Sequence, residues 1–347
     1  MRRIVALLLA LMLLGILAGC SGNESPRESS TTESISSQNP FQQNEENPMN
    51  MGAISHGSRN INIDENERLL PLVYQGEEVY FEYYVNAIGN AKNVGFLMFI
   101  DGIPQPYRID SIDAPNEYMH IFNLESDNID LPFTFIFSPV IGNQGDDLSV
   151  SIISIYNPSF RPDMDKTTSY GGYHEILPAA YTLHFETDAE PLDVTSDTVY
   201  GTVSLSNEPV TSQLLDTLSS NGMRDIDTDI FNREIFSLLY FDGELERDNL
   251  QIAESGTLQV RYLLCGRSGI EYETTFYINH QPIASSEGFS HSTAIDKGFI
   301  STFTFDIDLD KLEDFSTFYI VSVPINAADY PDEIFEPIKT QSILLYK

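Results

Sequence analysis

Short runs in which apolar and polar residues alternate constrain this chain more than any other feature. In "EVYFEYYVNA", Val79, Phe81, Tyr83, Val85 and Ala87 fall on one side and more polar residues on the other. A period of two places successive side chains on opposite faces of an extended backbone. The run therefore predicts a half-buried strand and cannot give a helix one apolar face. "GFLMFIDG" is apolar on both faces and ends in a turn signal, and "LPFTFIFSPV", "LSVSIISIYN" and "AAYTLHFE" continue in the same style. Short aromatic and β-branched runs, punctuated by Gly, Pro, Asn and Asp, point to an all-β sandwich. One stretch departs from this. "NEPVTSQLLDTLSSNG" spaces Val210, Leu214 and Leu218 as on a helix, with Asn207 as a plausible N-cap, Pro209 in the first turn and Asn221-Gly222 as a stop. "MRDIDTDI" after it reads as a connector.

The strands before and after this helix partly repeat. Met98, Phe99 and Ile100 match Phe276, Tyr277 and Ile278, Asp101 matches Asn279, and Pro104 matches Pro282, all 178 positions apart. Further on, "PFTFIF" (132–137) answers "TFTFDI" (302–307), "DLSVSII" (147–153) answers "DFSTFYI" (314–320), and "TLHFE" answers "ILLYK". Self-similarity of this kind suggests a duplicated module. One strand resists: at the same spacing Phe81, Tyr83 and Val85 meet Gln259, Arg261 and Leu263, which would turn the buried face outward. A loop one residue shorter, or a bulge, restores the match. The expected fold is two immunoglobulin-like β-sandwich domains in tandem, at 59–205 and 231–347, with the helix and connector at 206–230.

The N-terminus is of another kind. Arg2 and Arg3 precede an uninterrupted apolar run from Ile4 to Ala18, 15 residues long, whereas a membrane-spanning helix needs about 20. A charged start, a short apolar core and small residues before a break describe a secretory signal peptide. Leu17-Ala18-Gly19-Cys20 resembles the lipobox of bacterial lipoproteins. The resemblance implies that the Cys20 thiol takes a diacylglyceryl group and that cleavage removes residues 1–19, so acyl chains of the palmitate type tie the protein to the membrane. Two acyl chains suffice for stable anchoring, at about 0.8 kcal/mol per buried methylene. Residues 20–58, rich in Ser, Asn, Glu, Gln, Thr and Pro, cannot bury enough apolar surface to offset their ordering entropy. They are expected to form a disordered tether with a reach of about 35 Å. The expected location is the extracytoplasmic face of a bacterial cell membrane.

Charge and motifs then narrow the function. With 52 acidic and 18 basic residues the net charge is −34. Nucleic-acid affinity comes from clustered Lys and Arg against phosphates, so nucleic acid is excluded as a partner. Divalent cations or basic partners are the electrostatically favoured ones. Of the two cysteines, Cys20 is assigned to lipid, and Cys265 within "VRYLLCG" reads as a small buried hydrophobe, so no disulfide framework exists. Asp306, Asp308 and Asp310 imitate the start of an EF-hand, but Lys311 and Thr317 stand where Gly and Glu are required. These aspartates read instead as the solvent face of a strand whose inner face is Phe303, Phe305, Ile307 and Leu309, with Asp310 and Glu313 as a capping box. Asp225, Asp227 and Asp229 in the connector remain candidates for Ca2+. His56, His120, His174, His184, His280 and His291 show no ligand spacing, and the zinc-helix start at His174-Glu175 fails on Pro178. No nucleophile elbow, Ser-x-x-Lys or phosphate loop occurs. The turns "GIPQPYR" (102–108) and "NHQPIA" (279–284) lie where sandwiches bind ligands, with Tyr107 and Tyr118 as candidate contacts. The reading is a cell-surface lipoprotein with a non-catalytic binding or envelope-scaffolding role toward an envelope protein or cell-wall polymer. The alternative is a lipid-anchored hydrolase with a carboxylate site. A transporter solute-binding subunit would need α/β lobes, against which the strand content argues.

Overall fold

The computed structural model describes residues 52–60, 62–65, 69–162, 176–191, 201–222, 229–245, 249–284 and 288–347. The expected signal peptide, Cys20, nearly all of the expected tether, Asp225, Asp227 and His174 lie outside them. Four sheets account for the strands, two in each half. The first sheet runs in the order β1 (Ala53–Ser58), β3 (Val79–Ile88), β8 (Leu131–Phe137), β6 (Arg108–Ile109). The second runs β2 (Leu72–Tyr74), β10 (Ile176–Phe185), β9 (Asp147–Tyr156), β4 (Asn93–Ile100), β5 (Ile103–Pro104), with β7 (His120–Asn123) also on β4. In the C-terminal half the third sheet runs β11 (Val203–Pro209), β19 (Phe299–Asp308), β15 (Thr257–Gly266), β12 (Ile235–Phe241), β13 (Glu244–Leu245). The fourth runs β14 (Asn249–Gln251), β22 (Ile343–Tyr346), β20 (Phe315–Pro324), β16 (Glu271–Ile278), β17 (Gln281–Pro282). Two short strands flank it, β18 (Ser290–Ala294) on β16 and β21 (Ile338–Lys339) on β20.

Each half closes its own core, as the alternation predicts. Val79, Phe81, Tyr83, Val85 and Ala87 of β3 are all buried, packed with Phe133 and Phe135 of β8 against Phe96, Val150 and Leu183 of the opposing sheet. In the other half Val260, Tyr262, Phe303 and Phe305 meet Phe276, Phe318 and Ile343. Full burial of each such side chain is worth about 1.5–3 kcal/mol. The fold is thus two immunoglobulin-like sandwiches in tandem.

Strand pairing corrects the repeat in detail. Tyr83 faces Phe133 and Tyr262 faces Phe303, so Tyr83 corresponds to Tyr262. The turn from Gly266 to Tyr272 is one residue shorter than that from Ala87 to Val94, which is the shortening that restores the buried face. Phe99 pairs with Ser151 and Tyr277 with Tyr319, so β9 and β20 match Val150 to Phe318 rather than as 147–153 to 314–320. The similar "DLS" and "DFS" starts are therefore one residue out of structural register. β2 and β14, each parallel to the strand beside it, complete the correspondence.

The halves join back to back. Leu97 and Phe99 of β4 and Ile153 and Ile155 of β9 pack on Tyr277 of β16 and on Tyr319, Val321 and Val323 of β20. This second burial explains why "GFLMFIDG" is apolar on both faces. The matched residues Phe99 and Tyr277 meet edge to face at 6.5 Å, as equivalent positions do across an approximate two-fold axis.

Three expectations change. Asn207 and Pro209 do not start the helix; they lie in β11, facing Ser301 and Phe299 of β19, where an edge strand tolerates proline. The helix α1 (Ser212–Gly222) is capped by Thr211, whose Oγ1 accepts from Leu214 N at 3.2 Å, and it lays Leu214 and Leu218 on Leu263 and Cys265. Ala53–Ser58, expected in the tether, pairs along β3 from Ile88 to Tyr83 because backbone hydrogen bonds, not apolar content, secure an edge strand. The turn after β19 is capped by Asp308, whose carboxylate accepts from Asp310 N at 3.2 Å, rather than by Asp310.

Candidate binding groove between the sandwiches

Of the two tyrosines singled out from the turns, Tyr107 is not a surface contact. Tyr107 is fully buried; its hydroxyl donates to the Phe96 carbonyl at 2.7 Å and accepts from His120 N at 3.2 Å. The aromatic ring fills core space beside Phe135, which corrects its assignment as a ligand contact. Tyr118 is half-buried and packs edge to face on Phe289 at 5.8 Å. Asp229 is exposed at the head of a short 3-10 turn, its carbonyl accepting from Asn232 N at 3.1 Å. Among the described residues no three His, Cys, Asp or Glu side chains gather as a metal site. Burial pushes the Cys265 thiol up to about 12, which keeps it protonated and unreactive. His184 meets Asp147 at 2.7 Å and His120 meets the Tyr107 carbonyl at 2.8 Å, each a contact within its own sandwich. His56 bridges the Tyr83 hydroxyl at 2.7 Å and the Leu177 carbonyl at 3.0 Å.

A cavity of about 280 Å³ opens where the halves meet, lined by Ile121, Phe160 and Arg161 on one side and His280, Glu313 and Phe315 on the other. His280 ties the two walls. Its Nε2 donates to the Pro158 carbonyl at 3.1 Å, which leaves Nδ1 bare to accept from the Tyr319 hydroxyl at 3.2 Å. Burial, with a smaller contribution from Lys339, lowers the imidazole pKa to about 4, so the ring is neutral at physiological pH. Lys339 Nζ stands 4.7 Å over the Tyr319 ring and donates to Ser342 Oγ at 2.9 Å.

The approximate two-fold axis gives this site a counterpart, and the two ends differ. Asn279 and His280 both take positive φ, 50° and 66°, as a tight hairpin turn requires. Their counterparts Asp101 and Gly102 do the same, at 47° and 78°. At Gly102 a β-carbon would come within 2.5 Å of Glu273 Cβ and 2.9 Å of Ile325, so that end is shut. At His280 the turn carries a full side chain and the end is open. Comparing "DGIPQP" with "NHQP" offered the signal, a histidine where the repeat has glycine, but only the packing reveals which end opens. The shut end is acidic: burial raises the pKa of both Asp101 and Glu273, and Asp101 adds to the rise at Glu273.

No family model and no curated protein matches the chain. Among solved structures, the N-terminal Ig1-2 module of the Drosophila receptor protein tyrosine phosphatase DLAR is 12% identical, covering 85% of this chain and 97% of that one, with a TM-score of 0.20. Fibronectin(III)-like modules of Clostridium thermocellum CbhA are 8% identical over 85% and 93%, with a TM-score of 0.18. The C-terminal domain of the Streptococcus agalactiae AgI/II polypeptide BspA is 7% identical over 85% and 100%, with a TM-score of 0.22.

Proposed function

We propose that this chain is a lipoprotein held at the extracytoplasmic face of a bacterial cell membrane through Cys20, and that its paired sandwiches bind or scaffold an envelope protein or cell-wall polymer without catalysis. The observation that carries the binding role is the open groove at the seam of two sandwiches that share a buried contact. A groove there keeps its shape only while both halves stay docked, which suits recognition. Its lining brings together a guanidinium, a neutral imidazole and aromatic rings, the mixed apolar and polar character typical of ligand clefts.

Two measurements test the reading. Mass spectrometry of the protein from its native membrane is expected to find a diacylated Cys20 at the amino terminus. An intact leader or an unacylated terminus would remove the anchor. Capture from solubilised native envelope, with the lipidated chain as bait, is expected to enrich one envelope component reproducibly. Hydrolysis of envelope substrates by the purified chain would overturn the non-catalytic role. Ca2+ at Asp225, Asp227 and Asp229 enters the reading only if chelation lowers the thermal midpoint.

A further inference from the structure

The groove holds a cation, Arg161, to which no described carboxylate is paired. The Arg161 guanidinium lies 5.7 Å over the Phe315 ring, and it forms no ion pair with the described acidic residues. Arg108, Arg261 and Arg267 are each paired, with Glu78, Glu208 and Glu333. On a body of net charge −34, an exposed guanidinium beside an aromatic face is a ready counter-ion for a carboxylate, which it meets with two parallel hydrogen bonds. The same lining carries the apolar side chains Ile121 and Phe160 from one sandwich and Leu344 from the other. The second observation is the backbone. His280 carries a side chain at a left-handed φ where the repeat has Gly102, at a cost of about 1 kcal/mol or more. That side chain fastens the groove floor to Pro158.

Resting on the reading of the body as a binding module, we propose that this groove receives the C-terminal residue of a peptide, its free carboxylate on Arg161 and its apolar side chain against Ile121, Phe160 and Leu344. A free carboxylate next to an apolar side chain is what a peptide terminus offers. An acidic sugar would bring several hydroxyls needing partners, and the Asn279 side-chain oxygen is already taken by Thr317 N at 2.9 Å. A cavity of about 280 Å³ suits one residue and part of the next. Glu313 on the same lining repels a second negative charge and selects a neutral or basic preceding residue.

The test is calorimetric titration of the mature chain with N-acetyl-Lys-Leu, with its C-terminal amide, and with glucuronate. The acid is expected to bind at least tenfold more tightly than the amide, and Arg161→Gln to abolish that difference. Arg161 is exposed, so the variant is expected to melt as the native chain does; Arg161→Lys, which keeps the charge and loses the planar fork, should fall between them. Equal binding of acid and amide, binding of neither, or a preference for glucuronate each overturns the proposal. Any of these failures leaves envelope capture standing through another surface, so the two readings fail separately.

Discussion

His280 and Glu273 sit at opposite ends of the seam, Glu273 against Gly102, the counterpart of His280, and their titrations pull in opposite directions. The folded chain holds the His280 imidazole neutral down to about 4, while an unfolded histidine takes its proton near 6.5. Between these values the unfolded state binds more protons, so stability is complete above pH 6.5 and falls as pH drops to 4, by about 3 kcal/mol from this residue. His280→Asn, which tolerates the left-handed turn, is expected to flatten that part of the stability curve in urea titrations at pH 4–6.5. A variant with the native slope would show that the imidazole is not the group protonated on unfolding. Glu273 has the opposite sign. Its folded pKa is raised, first by burial, so the folded state holds its proton more tightly and stability is lost as pH rises through the raised value. Glu273→Gln, with an amide that Ser290 and Ser292 can still hydrogen-bond, is expected to raise the melting midpoint at pH 7 and to change it little at pH 3. Sequence exposes neither effect, since each side chain is covered in part from the other sandwich, His280 by Pro158 and Glu273 by Gly102, more than a hundred residues away in the chain.

At the level of strands and helix, local pattern was legible where one face was buried and misleading where backbone pairing ruled. The alternation in "EVYFEYYVNA" named the inward residues of β3 correctly, and the run 303–309 did so for β19. "NEPV" was read as a helix start because Asn and Pro suit one, yet β19 takes that segment as an edge strand and leaves Thr211 to cap α1. Ala53–Ser58 carries little apolar signal beyond Ile54, and the free edge of β3 orders it, helped by His56 on Tyr83 and Leu177. The groove was less legible still: Tyr107 looked like a turn aromatic and is core, while Arg161 had no mark in the sequence. The register correction between the halves makes its own prediction. Gly266, at φ 137°, takes the place Ala87 holds in β3, and a β-carbon there would sit 2.1 Å from the Glu234 carbonyl oxygen. Gly266→Ala should therefore cost about 2–4 kcal/mol in denaturant unfolding. A loss under 0.5 kcal/mol would mean that the β12–β15 edge relaxes freely.

Across the whole molecule, the shared layer of Leu97, Phe99, Ile153 and Ile155 with Tyr277, Tyr319, Val321 and Val323 makes the groove a joint property of both sandwiches. Each sandwich also owns a complete core, so breaking the seam need not unfold either one. A charge placed in this layer would be buried without a partner, a cost of several kcal/mol that undocking removes by returning it to water. The native chain is expected to unfold in a single calorimetric transition, because the apolar centre of the seam couples the two cores. Leu97→Asp should split that transition into two and enlarge the radius of gyration in solution scattering, while far-ultraviolet dichroism keeps its strand signature. It should also abolish carboxylate binding at Arg161 without touching a groove residue. Two transitions already present in the native chain would refute the coupling. A variant that melts once, at lower temperature and with unchanged size, would show that neither sandwich stands without its neighbour, and the groove would then be a feature of one fold rather than a junction between two.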